Sequence, residues 1–236
     1  MKGSLFTKFA AVFLAVSMAV LPVQTAEAAT KPSCCNAKEW EVLRQTNEKR
    51  MAKGLDALTT FKQLQSACDT RAKELVTLFS HDRPNGKDCF SVIKDIQKFS
   101  CGENIAAGQT TATIVMDSWW NSPGHKANIL TDDFNHMGVG YKGTSSGYRN
   151  YWVQLFTGGG CEIDRIVVND VKNNTYKKGT SIKSMKRYVK VVCDHGITYM
   201  PLSAKMCKGY KSDKKGEQTI TVTYKGFKTT FDVVIQ

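Results

Sequence analysis

Histidine is scarce in this chain, with four residues among 236. Chemistry that depends on imidazole can therefore be assembled in only a few ways. The eight cysteines contain no paired Cys-x-x-Cys with a nearby histidine, which excludes a finger-type structural zinc site. Ser80 and Ser122, the serines nearest the histidines in sequence, do not sit in Gly-x-Ser-x-Gly, the nucleophile elbow of an α/β-hydrolase. Beyond residue 30 no apolar run approaches the ~20 residues that a membrane-spanning helix needs.

What is present begins with Lys2 and Lys8, an apolar run from Phe9 to Leu21 and the small-residue site Ala26-Glu27-Ala28. This pattern predicts a secretory signal peptide over residues 1–28, cut after Ala28. All eight cysteines follow it, at 34, 35, 68, 89, 101, 161, 193 and 207. An even count in an exported chain favours disulfides over reactive thiols, although eight cysteines allow about a hundred connectivities and sequence alone does not choose among them. Charge is uneven. Residues 29–161 carry 16 Lys+Arg against 13 Asp+Glu, and residues 162–236 carry 15 against 7. A basic tail on an exported protein suits an anionic cell-envelope polymer or an extracellular glycan or lipid surface. Nucleic acid is set aside, because export removes the usual target. The oligomeric state is left open.

Periodicity divides the chain. From Glu39 to Leu78 the apolar spacing is helical, broken at Gly54, and the second helix carries the stripe Phe61, Leu64, Cys68, Ala72, Leu75 and Phe79. Residues 80–86, "SHDRPNG", form a loop, and residues 91–98 and 110–120 read as short helices. After residue 137 the period becomes two, with "MGVGYKG" and "YWVQLFTGG" flanking "GTSSGYRN" as a hairpin. The result is an α+β layout over residues 29–161. Residues 162–236 hold "IDRIVVND", "YVKVVC", "GEQTITVTYKG" and "FKTTFDVVIQ", the pattern of a small all-β sandwich. Trp119, Tyr151 and Trp152 read as core, and Asn47 and Asn104 as buried amides.

"LRQTNEKRMAKGLDAL", "FSHDRPNG", "CGENIAAG", "WWNSPGHKANIL", "MGVGY" and "YWVQLF" occur in that order. Together they resemble the bacterial branch of the CAP superfamily, the cysteine-rich secretory, antigen 5 and pathogenesis-related proteins. The resemblance implies a three-layer α-β-α sandwich with a cleft where histidines and acids converge. His81 and His125 match the two family histidines, and Glu103 matches the acid of Gly-Glu-Asn. Animal members often carry a second acid, and the matching position here is about Ser122. Asn104 and Ser122 are expected to line the cleft.

Two imidazoles and one carboxylate can hold a divalent cation such as zinc, so the resemblance makes His81, Glu103 and His125 candidate metal ligands. The expected role is binding of an ion or small ligand in this cleft, with the tail attaching to the envelope. The alternative is a metal-assisted hydrolase of peptide or cell-wall material, with Glu103 as base. Members of the family are mostly regarded as non-enzymatic, and a catalytic residue is not assigned. The tail resembles bacterial immunoglobulin-like domains of surface and secreted proteins. Cys193 and Cys207, the only cysteines inside it, are expected to pair.

Overall fold

The computed structural model describes residues 31–160, 162–194 and 196–236. The expected signal peptide lies outside these residues, as do Cys161 and His195. Helix α1 (Ala37–Ala52) starts at Asn36, whose side chain accepts from the Lys38 and Glu39 amides while Glu39 accepts from the Asn36 amide. That reciprocal box satisfies donors the helix would otherwise leave unpaired. Gly54, at φ +86°, reverses the chain. Asn47 then fixes the returning loop through two 2.8 Å bonds to the Leu58 backbone. Helix α2 (Lys62–Thr77) buries Leu64, Cys68, Ala72 and Leu75, as its stripe predicts.

Strands β1 (Ser100–Ala107), β2 (His136–Gly143) and β3 (Asn150–Gly158) form an antiparallel sheet in the order β1-β3-β2. Central β3 is buried on both faces. Trp152 and Phe156 pack towards α1, α3 (Ala112–Asn121) and α4 (Pro123–Leu130), while Tyr151, Val153 and Leu155 pack towards α2. This alternation makes the α-β-α sandwich. Trp119, Trp152 and Tyr151 are indeed core.

One local expectation is corrected. The short helix expected at 91–98 is a 3-10 turn at Cys89–Ile93. Pro123-Gly124 forms the first turn of α4, where a proline costs no hydrogen bond.

The tail contributes β4 (Ile163–Val168), β5 (Thr175–Tyr176), β6 (Tyr188–Cys193), β7 (Gly196–Pro201), β8 (Cys207–Lys208), β9 (Gly216–Tyr224) and β10 (Phe227–Ile235). They form sheets of order β4-β6-β7 and β5-β10-β9-β8, with Ile166, Val189, Val191, Met200, Ile220, Val222 and Val233 buried between them. The expected Cys193–Cys207 bridge is not formed, because Cys207 is a free thiol bonded to the Ser203 carbonyl. The β6–β7 hairpin explains this. Cys193 lies opposite Gly196 at one end, and the chain reaches Cys207 only after Pro201, opposite Tyr188, at the other end. Five residues of strand span about 17 Å, beyond any disulfide's Cα separation. Cys34, Cys35, Cys68, Cys89 and Cys101 are also free, whereas Cys193 is disulfide-bonded.

The two halves share a seam. Thr60 and Tyr199 exchange backbone bonds of 2.7 and 2.8 Å, the Tyr224 hydroxyl donates to the Ala57 carbonyl, and Ala57 belongs to the second core. His136 lies at this seam, its Nδ1 2.7 Å from the Thr59 hydroxyl and its ring edge-on to Phe61.

Two predictions follow from packing and burial. On β2, a Cβ on Gly140 would overlap the Cys68 carbonyl of α2. Gly140→Ala should therefore cost about 1–3 kcal/mol in urea unfolding. Burial, then Lys225, push His136 down to about 4 from 6.5. The unfolded chain thus binds more protons between these values, and the stability from neutral His136 is complete above 6.5 and lost as pH falls towards 4, by about 3 kcal/mol. Glu39, raised to about 7 by burial and by Asp69, acts in the opposite sense, so the effect must be read by difference. Between pH 6.5 and 4 the wild type should lose more stability than His136→Gln, and parallel curves would refute the assignment.

Candidate functional site

The site is built around a buried ion pair. Arg71 on α2 is fully buried, and its Nε donates to Glu103 Oε1 at 2.8 Å. Its other nitrogens reach Glu74 at 3.1 Å and the Ser80 carbonyl at 2.9 Å. Arg83 in the loop grips both Glu74 oxygens and donates to Ser91. Through this chain of charges α2 fixes the 80–83 loop, and so fixes His81. Its Nδ1 lies 2.7 Å from Glu103 Oε2, while 60% of its side chain remains exposed.

Helix α4 brings the second imidazole. Asn104 donates to the His125 carbonyl and to Gln154 Oε1, both at 3.0 Å, and Asn128 donates to Asn104 Oδ1 at 2.8 Å and to the Glu103 carbonyl at 3.1 Å. Asn104 is completely buried, so it holds α4 against the sheet instead of lining an opening. Ser122 joins α3 to α4 through its backbone carbonyl and makes no side-chain cap bond. Burial and the neighbouring His81 lower the His125 pKa. Its Nδ1 is buried and has no hydrogen-bond partner.

The fold thus places His81 on Glu103 and His125 within electrostatic reach of His81, yet the three do not form a ligand set. Glu103 is occupied by Arg71, and a dication there would meet a buried guanidinium at close range. Among the described residues, no group of three His, Cys, Asp or Glu side chains is placed to hold a metal. The residues do not fit the expected ion. The same pairing removes Glu103 as a general base, which a hydrolytic reading requires.

Cys89 adds an unanticipated thiol beside the carboxylate, pushed up to about 12 by burial and then by the Glu103 charge. Arg71, Cys89 and Asn128 were all missed. Arg71 had a readable signal, since it falls on the apolar stripe three residues after Cys68. A cavity of about 390 Å³ opens elsewhere, at the seam beside Phe61, Ile96, His136 and Ile197.

The model of the cysteine-rich secretory protein family matches residues 43–156, and that of the bacterial Ig-like domain (group 3) matches residues 170–234. This chain is a CAP domain followed by a bacterial Ig-like domain. The uncharacterized protein YkwD of Bacillus subtilis is 35% identical over 131 residues, covering 54% of this chain and 49% of the relative. The uncharacterized membrane protein YlbC of the same organism is 24% identical, covering 53% and 38%. The chain thus spans half or less of the length of these curated relatives. Among solved structures, an extracellular SCP-domain protein of Bacillus anthracis aligns at 25% identity and TM-score 0.47, covering 52% of this chain and 40% of that one. An outer surface protein of Borrelia burgdorferi aligns at 21% identity and TM-score 0.46, covering 50% and 90%.

In this CAP domain, Glu103→Gln would leave Arg71 short of its countercharge. Breaking one side of a buried pair should cost about 3 kcal/mol in chemical unfolding, and a loss below 1 kcal/mol would refute the pairing. Zinc should shift the thermal midpoints of the wild type and His125→Ala equally.

Proposed function

We propose that the protein is an extracellular binding protein whose Ig-like domain attaches to an anionic envelope polymer while the CAP domain presents its histidine pair to a small polar ligand. The observation that carries this reading is a lysine cluster at one end of the second domain. Lys177 and Lys178 lie on one loop and Lys211, Lys214 and Lys215 on another, all exposed. The Gly179 amide donates to the Ser212 carbonyl at 2.7 Å, and the Tyr210 hydroxyl donates to the Thr180 carbonyl, so the two loops are bound together. Asp213 and Glu217 neutralise only part of the charge. Five cations on adjoining loops suit a polymer bearing repeated phosphate or carboxylate groups.

The histidine pair supports the second half of the reading. An exposed His81 beside a His125 with a buried, unpartnered nitrogen offers a hydrogen-bond donor and acceptor to a small molecule. An exported location suits both halves, as does the basic tail.

The seam makes separate domain fragments a poor test, because each core contains residues from the other half. The full chain, with Lys177, Lys178, Lys211, Lys214 and Lys215 changed to Gln, should therefore be compared with the wild type on isolated bacterial cell walls. Interactions between exposed charges are screened beyond about 10 Å at 0.1 M salt and about 3 Å at 1 M. Wild-type retention should fall roughly tenfold across that range, and the variant should match the high-salt value throughout. Retention that ignores both salt and substitution would overturn the attachment reading.

A further inference from the structure

Two adjacent cysteines at the start of the CAP domain lie outside the histidine site. The Sγ atoms of Cys34 and Cys35 lie 3.8 Å apart in a turn closed by the Cys35 amide on the Pro32 carbonyl. They differ in environment. Cys35 occupies the position before the Asn36 cap and is buried with Trp40, four positions into α1, so the two residues form the helix's hydrophobic staple. Cys34 is only partly buried and faces the seam near Tyr188 and Tyr199. Lys31 lies beside the pair and donates to the Cys35 carbonyl.

We propose that Cys34 and Cys35 form a reversible thiol–disulfide exchange site for low-molecular-weight disulfides. The two sulfurs divide the roles. Cys34 is accessible, and its thiol is lowered to about 7, chiefly by the hydrogen bond from Cys35 and further by Lys31. Cys35 is pushed up by its bond to Cys34 and by burial, so it stays protonated until its partner is engaged. A thiolate is the attacking species in such exchange, and one with a pKa near ambient pH is the most effective.

In the first step the Cys34 thiolate attacks one sulfur of the external disulfide, forming a mixed disulfide and releasing one thiolate. In the second, the Cys35 sulfur attacks Cys34 Sγ, its proton passes to the released thiolate, and the second external sulfur departs as a thiolate that takes from solvent the proton Cys34 had given up. The cysteine pair loses two electrons, and the external disulfide gains them to become two thiols. Closing a bond of about 2.05 Å from 3.8 Å needs the sulfurs to approach by less than about 2 Å, with the short backbone between them strained to allow it. Neighbouring Cα atoms across a trans peptide are about 3.8 Å apart, below the usual 4.4–6.8 Å of a structural disulfide, so the bridge is easily reduced again.

The test uses the reduced full-length protein, incubated with glutathione disulfide, quenched with N-ethylmaleimide and mapped by peptide mass. The peptide containing residues 34 and 35 should lose two hydrogens, resist alkylation and recover both thiols after dithiothreitol. Cys35→Ser should stop at a glutathione adduct on Cys34, and Cys34→Ser should leave Cys35 unmodified. At pH 7, alkylation of Cys34 should be about tenfold faster than that of Cys101, its larger thiolate fraction being partly offset by the lower nucleophilicity of a low-pKa thiolate. The proposal is overturned if both thiols persist in the wild type, if Cys34 is cross-linked to any cysteine other than Cys35, or if both single variants accept glutathione equally.

Discussion

The Arg71–Glu103 ion pair determines what the CAP domain's histidine site is able to be. Both groups are removed from water, a cost that only close pairing and full hydrogen bonding can offset. The fold supplies that pairing from three directions: α2 through Arg71, the loop through Ser80 and His81, and β1 through Glu103 itself. With its oxygens so engaged, the carboxylate can orient an imidazole but has little capacity left to hold a cation or take a proton from water. The site's open chemistry is therefore that of its two histidines. His81 presents a largely exposed ring, and His125 holds a buried nitrogen without a hydrogen-bond partner among the described residues.

Residues that carry a local signal were legible in the sequence. The α2 stripe, the hairpin strands and the long tail strands all alternate at the period of their own element, and the structure places them accordingly. Strand β1 was not legible, because Gly102, Glu103 and Asn104 interrupt "SCGENIAA" and leave it no run of strand-forming residues. The histidines and Glu103 were found by resemblance to a motif, whereas Arg71 came thirty-two residues earlier on a helix. Its role depends on a contact between distant segments, and that is information a local pattern does not contain. The Cys193–Cys207 pairing failed for a related reason. Nearness in sequence does not register the β6–β7 hairpin that lies between the two.

The glycines of "MGVGY" show how a motif can be structural and still support a functional site. Gly138 and Gly140 allow α2 to lie directly on β2, with the Cys68 sulfur and carbonyl in the space a side chain would fill. That close approach sets the height of α2 above the sheet. Arg71 is one turn further along the same helix, so its reach to Glu103 depends on it.

The seam extends this dependence to the second domain. The segment from Ala57 to Thr60 is held by Asn47 on one side and by Tyr199 and Tyr224 on the other, so it belongs to both halves. Arg50 reinforces it from below, donating to the Asp56 carbonyl and to the carbonyls of Ile129 and Thr131, which end α4. A cation at a helix C-terminus is favoured by the helix dipole as well as by its hydrogen bonds. The same helix carries His125 near its start. One buried arginine therefore joins the loop that docks the Ig-like domain to the helix that presents the second histidine. A displacement of the tail domain along the seam has a contiguous packed route to the site, through Tyr224, Ala57, Arg50 and α4.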